Sequence, residues 1–385
     1  MTKKLVPMLA ALALALPGAG RAQVKIGFIN SITGPEAPIG ESLTNGLELA
    51  LEDLGKKGVK LQVIRQDDTG KPQISMGALE QLATGDEVGM VVGPYSSACA
   101  NAVAKQAQSY KVPLLIPVAS KEEITRQGYD WVFRLNAPAH DYANSLIDAA
   151  SSFGKPKTIA FIYESTDFGS SVSALGKDYA AKKGLKVVAD EAYQKGAPDY
   201  RSTLTKIKAQ NPDLVFMVSY VADAILLMRQ SREVGLKPQA FLGGGAGFDT
   251  AQFQSEKDIS TNVFTVTQWT EDNGNPGSSE FAKRYHQRFG KRAPYHAATA
   301  YASMMIAGDI VQKTGGDRKK IKEALSKGQW NGIMGDVKFE TFEGFTNQNK
   351  HQMAVTQYQH GDAVTVFPPK YAKAKPVYPF PGFAK

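Results

Sequence analysis

Through most of its length the chain alternates short β-rich apolar runs with helical stretches, and this alternation restricts the fold more than any other feature. Val24–Ile29, Leu61–Gln66, Val88–Val92 and Pro113–Pro117 read as strands, with helical patterns over Gly40–Leu54, Pro72–Thr84 and Ser97–Tyr110 between them. Strand–helix alternation of this kind marks a parallel sheet flanked by helices. A second series repeats the design, with strands at Thr158–Tyr163, Leu185–Ala189, Leu214–Val218 and Phe241–Gly243. Its helices lie near Gly169–Lys183, Tyr200–Ala209 and Ala222–Val234. Beyond Val263–Thr267 come helices Ser278–Phe289, His296–Lys313 and Arg318–Ser326, then strand-like runs Asp336–Phe339, Met353–Tyr358 and Ala363–Phe367. The pattern predicts an α/β protein of two doubly wound, parallel-sheet lobes with more than one crossing between them. The Pro-rich stretch 375–381 can continue neither a helix nor a central strand and is expected to lie extended on the surface.

The N-terminus says where the protein works. Met1-Thr2-Lys3-Lys4, the apolar run Leu5–Leu16 and the small residues of Gly20-Arg21-Ala22 have the layout of an export signal, with cleavage expected after Ala22. The remaining chain, about 363 residues, exceeds the ~250–300 that one core supports, so two domains are expected. Cys99 is the only cysteine, so no internal disulfide can form and no lipid-bearing cysteine follows the signal. A soluble periplasmic protein stabilised by core burial fits this composition. Lys3, Lys4 and Arg21 account for three of the formal +8, and the remaining +5 is scattered, without the basic-aromatic blocks of a nucleic-acid binder.

The segment 26–40, Ile-Gly-Phe-Ile-Asn-Ser-Ile-Thr-Gly-Pro-Glu-Ala-Pro-Ile-Gly, followed by Asn45-Gly-Leu-Glu-Leu-Ala50, resembles the opening of the periplasmic leucine/isoleucine/valine-binding family. Val92-Gly-Pro-Tyr-Ser-Ser97, Val112–Pro117 and Val132-Phe-Arg134 resemble its first lobe. Asp167-Phe-Gly169, Asn211–Val215 and Met228–Leu236 resemble its second. Their order along nearly the whole mature chain makes the resemblance specific. It implies a type I solute-binding protein of an ABC importer, with two lobes joined by a three-crossover hinge that close on a ligand. On this basis residues 23–138 and about 269–330 are expected in lobe 1, 139–268 and about 331–370 in lobe 2, and 371–385 in the extended tail. The implied partners are a small carboxylate ligand and inner-membrane permease subunits, the protein itself being a monomer.

Ser96-Ser97 stand between a strand and a helix, where a serine caps the helix and free backbone N–H groups can take a carboxylate. A purely structural cap is the plainer reading. The resemblance assigns Ser97 to the ligand carboxylate, and Val118 and Ser120 to the next ligand-binding turn. It places Phe168 and Tyr220 where branched-chain amino acid binders carry tyrosine, and His296 where they place a late aromatic. Two positions depart from the pattern: Gly245 replaces the ammonium-binding glutamate and Ile39 replaces the first-loop aromatic. Either Glu36, Asp167 or Asp223 supplies the missing charge, or the ligand has no α-amino group and is a larger, possibly aromatic, acid.

Enzyme readings find little support. The run Gly243–Gly247 breaks the dinucleotide fingerprint at Phe248, the five histidines form no H-E-x-x-H pattern, and no G-x-S-x-G elbow occurs. No catalytic residue, metal site or cofactor is expected. A ligand-sensing receptor, or less readily a periplasmic enzyme on the same scaffold, remain the alternatives.

Overall fold

A computed structural model describes residues 23–383. The expected export signal, residues 1–22, lies outside them, as do 384–385. Val24–Asn30 pairs in parallel with Leu61–Asp67 on one side and Met90–Val92 on the other. The sheet continues in parallel through Leu114–Ile116 and Val132–Arg134 to Phe345–Asn349, and ends on antiparallel Phe339–Phe342. The second sheet runs Lys186–Tyr193, Thr158–Glu164, Leu214–Val218, Ala240–Gly243, Phe264–Thr267 in parallel, then antiparallel Ala354–Gln359 and Asp362–Phe367. The two sheets thus share the order of their first five strands, differ in the two late strands added at one edge, and build the expected pair of α/β lobes. A small hairpin, Trp330–Gly332 with Gly335–Val337, is separate from both.

Helix Ala37–Lys56 begins three residues ahead of its expected start because Pro38, in its first turn, needs no intrahelical donor. Its apolar face, Ile39, Leu43, Leu47, Ala50 and Leu54, repeats every three to four residues and is fully covered. Much of that cover is helix Tyr295–Thr314, which approaches so closely that a Cβ on Gly46 would stand 2.1 Å from the Ala297 carbonyl oxygen. Late-chain helices therefore complete the first lobe. Helix Ala139–Phe153 escaped the sequence reading. Its buried face is Ala139, Tyr142, Ala143, Leu146, Ile147, Ala149 and Ala150, four of the seven alanine.

The chain crosses between sheets three times: after Val132–Arg134, after Phe264–Thr267, and between Phe345–Asn349 and Ala354–Gln359. Hydrogen bonds tie the crossovers together. Gln348 Nε2 donates to the Asn136 carbonyl (2.7 Å), Asn349 Nδ2 to that of Leu135 (3.0 Å), and the Ala137 amide to Gln268 Oε1 (3.2 Å). Because no two crossovers move independently, the lobes can rotate about them as bodies.

Two expectations need correction. Residues of about 331–370 are expected in the second lobe, yet Phe339–Phe342 and Phe345–Asn349 within them extend the first sheet. The free edge of Val132–Arg134 accepts Gln348, and Gln348 Oε1 in turn accepts from the buried Arg134 Nε. The Pro-rich tail is extended but does not simply lie on the surface. Gln357 pairs both main-chain groups of Val377 (2.8 and 2.9 Å), and Phe380 is buried against Phe241 at 5.2 Å between ring centroids. Apolar burial of the tail rings and two borrowed hydrogen bonds hold an extended segment that proline bars from the sheet.

Candidate functional site

In each lobe the parallel strands end at their C-terminal side in loops that lead into helices, and the two sets of loops face each other across the crossovers. Open α/β sheets bind ligands at such strand ends. The cleft between them is nearly closed, with a remaining cavity of only ≈ 10 Å³. The first lobe contributes Tyr95, Ser96, Ser97, Val118, Ala119, Ser120 and Tyr295, and the second Phe168, Tyr220 and Ala246. Tyr142 stands at the start of the helix after the first crossover.

Ser96 caps helix Ser97–Tyr110 in extended conformation, its hydroxyl accepting from the Cys99 amide at 3.4 Å. Ser97 Oγ accepts from the Ser120 and Lys121 amides at 3.1 and 3.2 Å, which locks the 118–121 turn to the helix start. Both oxygens keep a proton to donate. Ser120 Oγ is buried beside them with no hydrogen-bond partner. The opposite wall is aromatic. Phe168 stands 5.9 Å from Tyr220 and 6.1 Å from Tyr142, and Tyr220 stands 6.1 Å from Tyr95, measured between ring centroids. Tyr142 is fixed from behind by amides of two crossovers: Asn136 Nδ2 (2.9 Å) and Gln268 Nε2 (2.6 Å) both donate to its hydroxyl. Burial pushes the Tyr142 hydroxyl up to about 12, so it stays protonated at neutral pH.

The cleft brings together Ser96, Ser97, Val118, Ser120, Phe168 and Tyr220, six of the residues named from sequence. Gly245 stands one residue behind the lining Ala246. At φ +83° and ψ −151° it occupies backbone space open only to glycine, and a Cβ there would meet the Tyr142 ring at 2.7 Å. Ile39 and His296 do not line the cleft. Ile39 lies wholly in the first-lobe core because its helix turns that face inward. His296 is one residue past the lining position, which belongs to Tyr295, and its ring stacks on Tyr295 from behind at 3.9 Å. Sequence reading missed Tyr95, Ala119, Tyr142, Tyr295 and Ala246. Tyr95 and Ala246 directly adjoin residues it named, and Tyr295 directly precedes His296.

His296 is fully buried with neither ring nitrogen hydrogen-bonded, and burial pulls its pKa down to about 3, with Asp249 opposing and Arg292 assisting. The folded state thus binds fewer protons than the unfolded one below pH ~6.5, so stability present above that pH is lost as pH falls toward the folded value. Denaturant titrations at pH 7 and pH 5 should show the native protein losing about 2 kcal/mol more than His296→Phe over that interval.

Three acidic side chains join the lobes. Glu36 Oε1 of the first meets Lys195 Nζ of the second at 2.7 Å. Asp167 of the second accepts from Lys121 (2.9 Å) and Asn101 (3.2 Å) of the first. Asp249 of the second pairs with Arg292 of the first at 2.6 Å. Burial raises the Glu36 pKa despite Lys195, whose ammonium also lies 5.0 Å over the Tyr220 ring. Asp223 is spent within the second lobe on the Gly196 amide at 3.1 and 3.2 Å, and burial raises its pKa. None of the three carboxylates considered as substitutes for the missing glutamate lines the cleft.

A family model described as periplasmic binding protein matches residues 23–363. The Leu/Ile/Val-binding protein homolog 8 of Brucella abortus is 31% identical over 388 residues, which covers 93% of each protein. The fold is similar to the branched-chain amino acid transporter substrate binding protein LivJ of Streptococcus pneumoniae in complex with isoleucine. That match has a TM-score of 0.80 and 20% identity, and covers 89% of this chain and 97% of that one. It is also similar to a solute binding protein of an R. palustris ABC transporter in complex with benzoate, at TM-score 0.81 and 19% identity, covering 92% and 99%. With the family model spanning the described lobes and crossovers, and a relative aligned along nearly the whole length, the chain belongs to the periplasmic binding protein family, in its leucine/isoleucine/valine-binding branch.

Proposed function

We propose that this ABC transporter substrate-binding protein captures a small carboxylate-bearing solute in the periplasm, as a monomer, and hands it to membrane permease subunits in the closed form. The observation that carries the carboxylate is the buried, unpartnered Ser120 hydroxyl set beside the Ser97 hydroxyl at the start of a 14-residue helix. Two hydroxyl donors and the partial positive charge of a helix N-terminus match an anion in a site shielded from water. The isoleucine and benzoate bound by the two structural neighbours share only a carboxylate among their polar anchors.

In this reading the first lobe receives the carboxylate at Ser96, Ser97, Val118 and Ser120. Closure then brings Phe168, Tyr220 and the Gly245–Ala246 loop over the rest of the solute. Ligand shifts the equilibrium toward the closed form only through contacts absent from the open one, and contacts to both lobes are of that kind. Function is therefore binding and release, with no bond made or broken. Calorimetric titration with matched acids and amides tests the anchor: leucine against leucinamide and benzoate against benzamide. Acids should bind where their amides do not; equal binding of acid and amide would remove the carboxylate site.

A further inference from the structure

The charge pattern around the cleft is one-sided. Ser97, Phe168, Tyr220 and Tyr295 stand at the caps or first turns of four helices of 13 to 20 residues, and Tyr142 is in the first turn of a fifth. Each helix start presents unpaired N–H groups and about half a positive charge. No carboxylate lies among the lining residues. The acids nearest at hand are all committed elsewhere: Glu36 to Lys195 and Ser31, Asp167 to Lys121 and Asn101, Asp223 to the Gly196 amide. Glu164, fully buried, accepts from the Thr166 and Gly169 amides at 2.7 and 2.6 Å.

From this pattern we infer that the solute is an aromatic carboxylate without an α-ammonium group, a deepening that rests on the carboxylate reading above. An ammonium enclosed here would lose its hydration, face five positive helix poles and find no anionic partner. An uncompensated buried charge of that kind costs several kcal/mol. A lone carboxylate meets the opposite situation, since the same helix starts and the Ser97 and Ser120 hydroxyls neutralise it. The body of the ligand is defined by rings. Tyr95, Tyr142, Phe168, Tyr220 and Tyr295 form an apolar wall whose neighbouring members already sit edge-to-face or tilted, the geometry in which a further flat ring gains most. The Tyr95 and Tyr220 hydroxyls make no hydrogen bond among the described residues, so a ring hydroxyl on the ligand has partners at that end.

The test is calorimetric titration of the mature protein with acids paired by their amino group: 3-phenylpropanoate against phenylalanine, and 4-methylpentanoate against leucine, with benzoate and 4-hydroxybenzoate alongside. Each acid lacking the amino group should bind roughly 30-fold or more tighter than its amino acid, a gap of about 2 kcal/mol, and an aromatic acid should bind tightest. Tighter binding of phenylalanine or leucine than of its partner would overturn the inference, as would binding of none of the six or an aliphatic acid ahead of every aromatic one. The anchor is separated from the ligand class by repeating the titration of the tightest ligand with Ser120→Ala. Weakened binding of an amino acid would keep the carboxylate site and reject only the class. Unchanged binding of any ligand would reject the site itself.

Discussion

Replacing Ser97 by alanine should weaken the tightest carboxylate ligand about 100-fold, or ~3 kcal/mol, in a calorimetric titration. Two effects add. The ligand loses a hydroxyl hydrogen bond to a charged oxygen, worth about 1.5–3 kcal/mol. The Ser120 and Lys121 amides also lose the acceptor that holds their turn at the helix start. The turn carries Val118 and Ser120, so the second hydroxyl of the anchor loosens with the first. A Ser97→Ala protein with unaltered affinity would show that the anion sits elsewhere.

Arg292→Met should shift the lobe equilibrium toward the open form by about 3 kcal/mol, near 100-fold in population. Arg292 reaches out of the first lobe to Asp249 Oδ1 and, through Nε, to Gln254 Oε1 at 2.8 Å, both in the second. Asp249 is buried, and without the guanidinium its only other side-chain donor among the described residues is the Thr267 hydroxyl at 2.7 Å. A buried carboxylate stripped of its cation is costly, and opening the lobes relieves that cost by admitting water. The readout is a distance between fluorophores placed one on each lobe, titrated with ligand. The variant should need about 100-fold more ligand to close. Closure at native ligand concentration would mean that the pair contributes nothing to the closed state. The Glu36–Lys195 contact gives a parallel comparison, because its carboxylate is as buried as Asp249 and Lys195 is about as exposed as Arg292.

Six of the residues named from the sequence and its family resemblance line the cleft. The serine pair between a strand and a helix is a local capping signal, but Val118, Ser120, Phe168 and Tyr220 were named through the family resemblance; all six line one cleft because loops after parallel strands gather at one sheet edge. His296 failed because a helix distributes neighbouring residues around its axis at 100° intervals, so an error of one position turns a lining residue into a core residue, whereas Ile39 belongs to a helix face that packs into the first-lobe core. Tyr295 and His296 show the consequence: one ring faces the cleft and the other stacks behind it.

The sequence by itself determined the α/β alternation, the doubling into two lobes and the serine-capped helix start, because apolar periodicity and capping chemistry act over a few neighbouring residues. Only the tertiary structure decided that Phe345–Asn349 joins the first sheet, that Phe380 anchors the tail on Phe241, that five aromatic rings share one wall and that Glu36, Asp167 and Asp223 are spent away from it. Those outcomes depend on which distant edge, ring or cation a group meets. Such long-range choices are settled by burial and pairing across the whole molecule rather than by any local pattern.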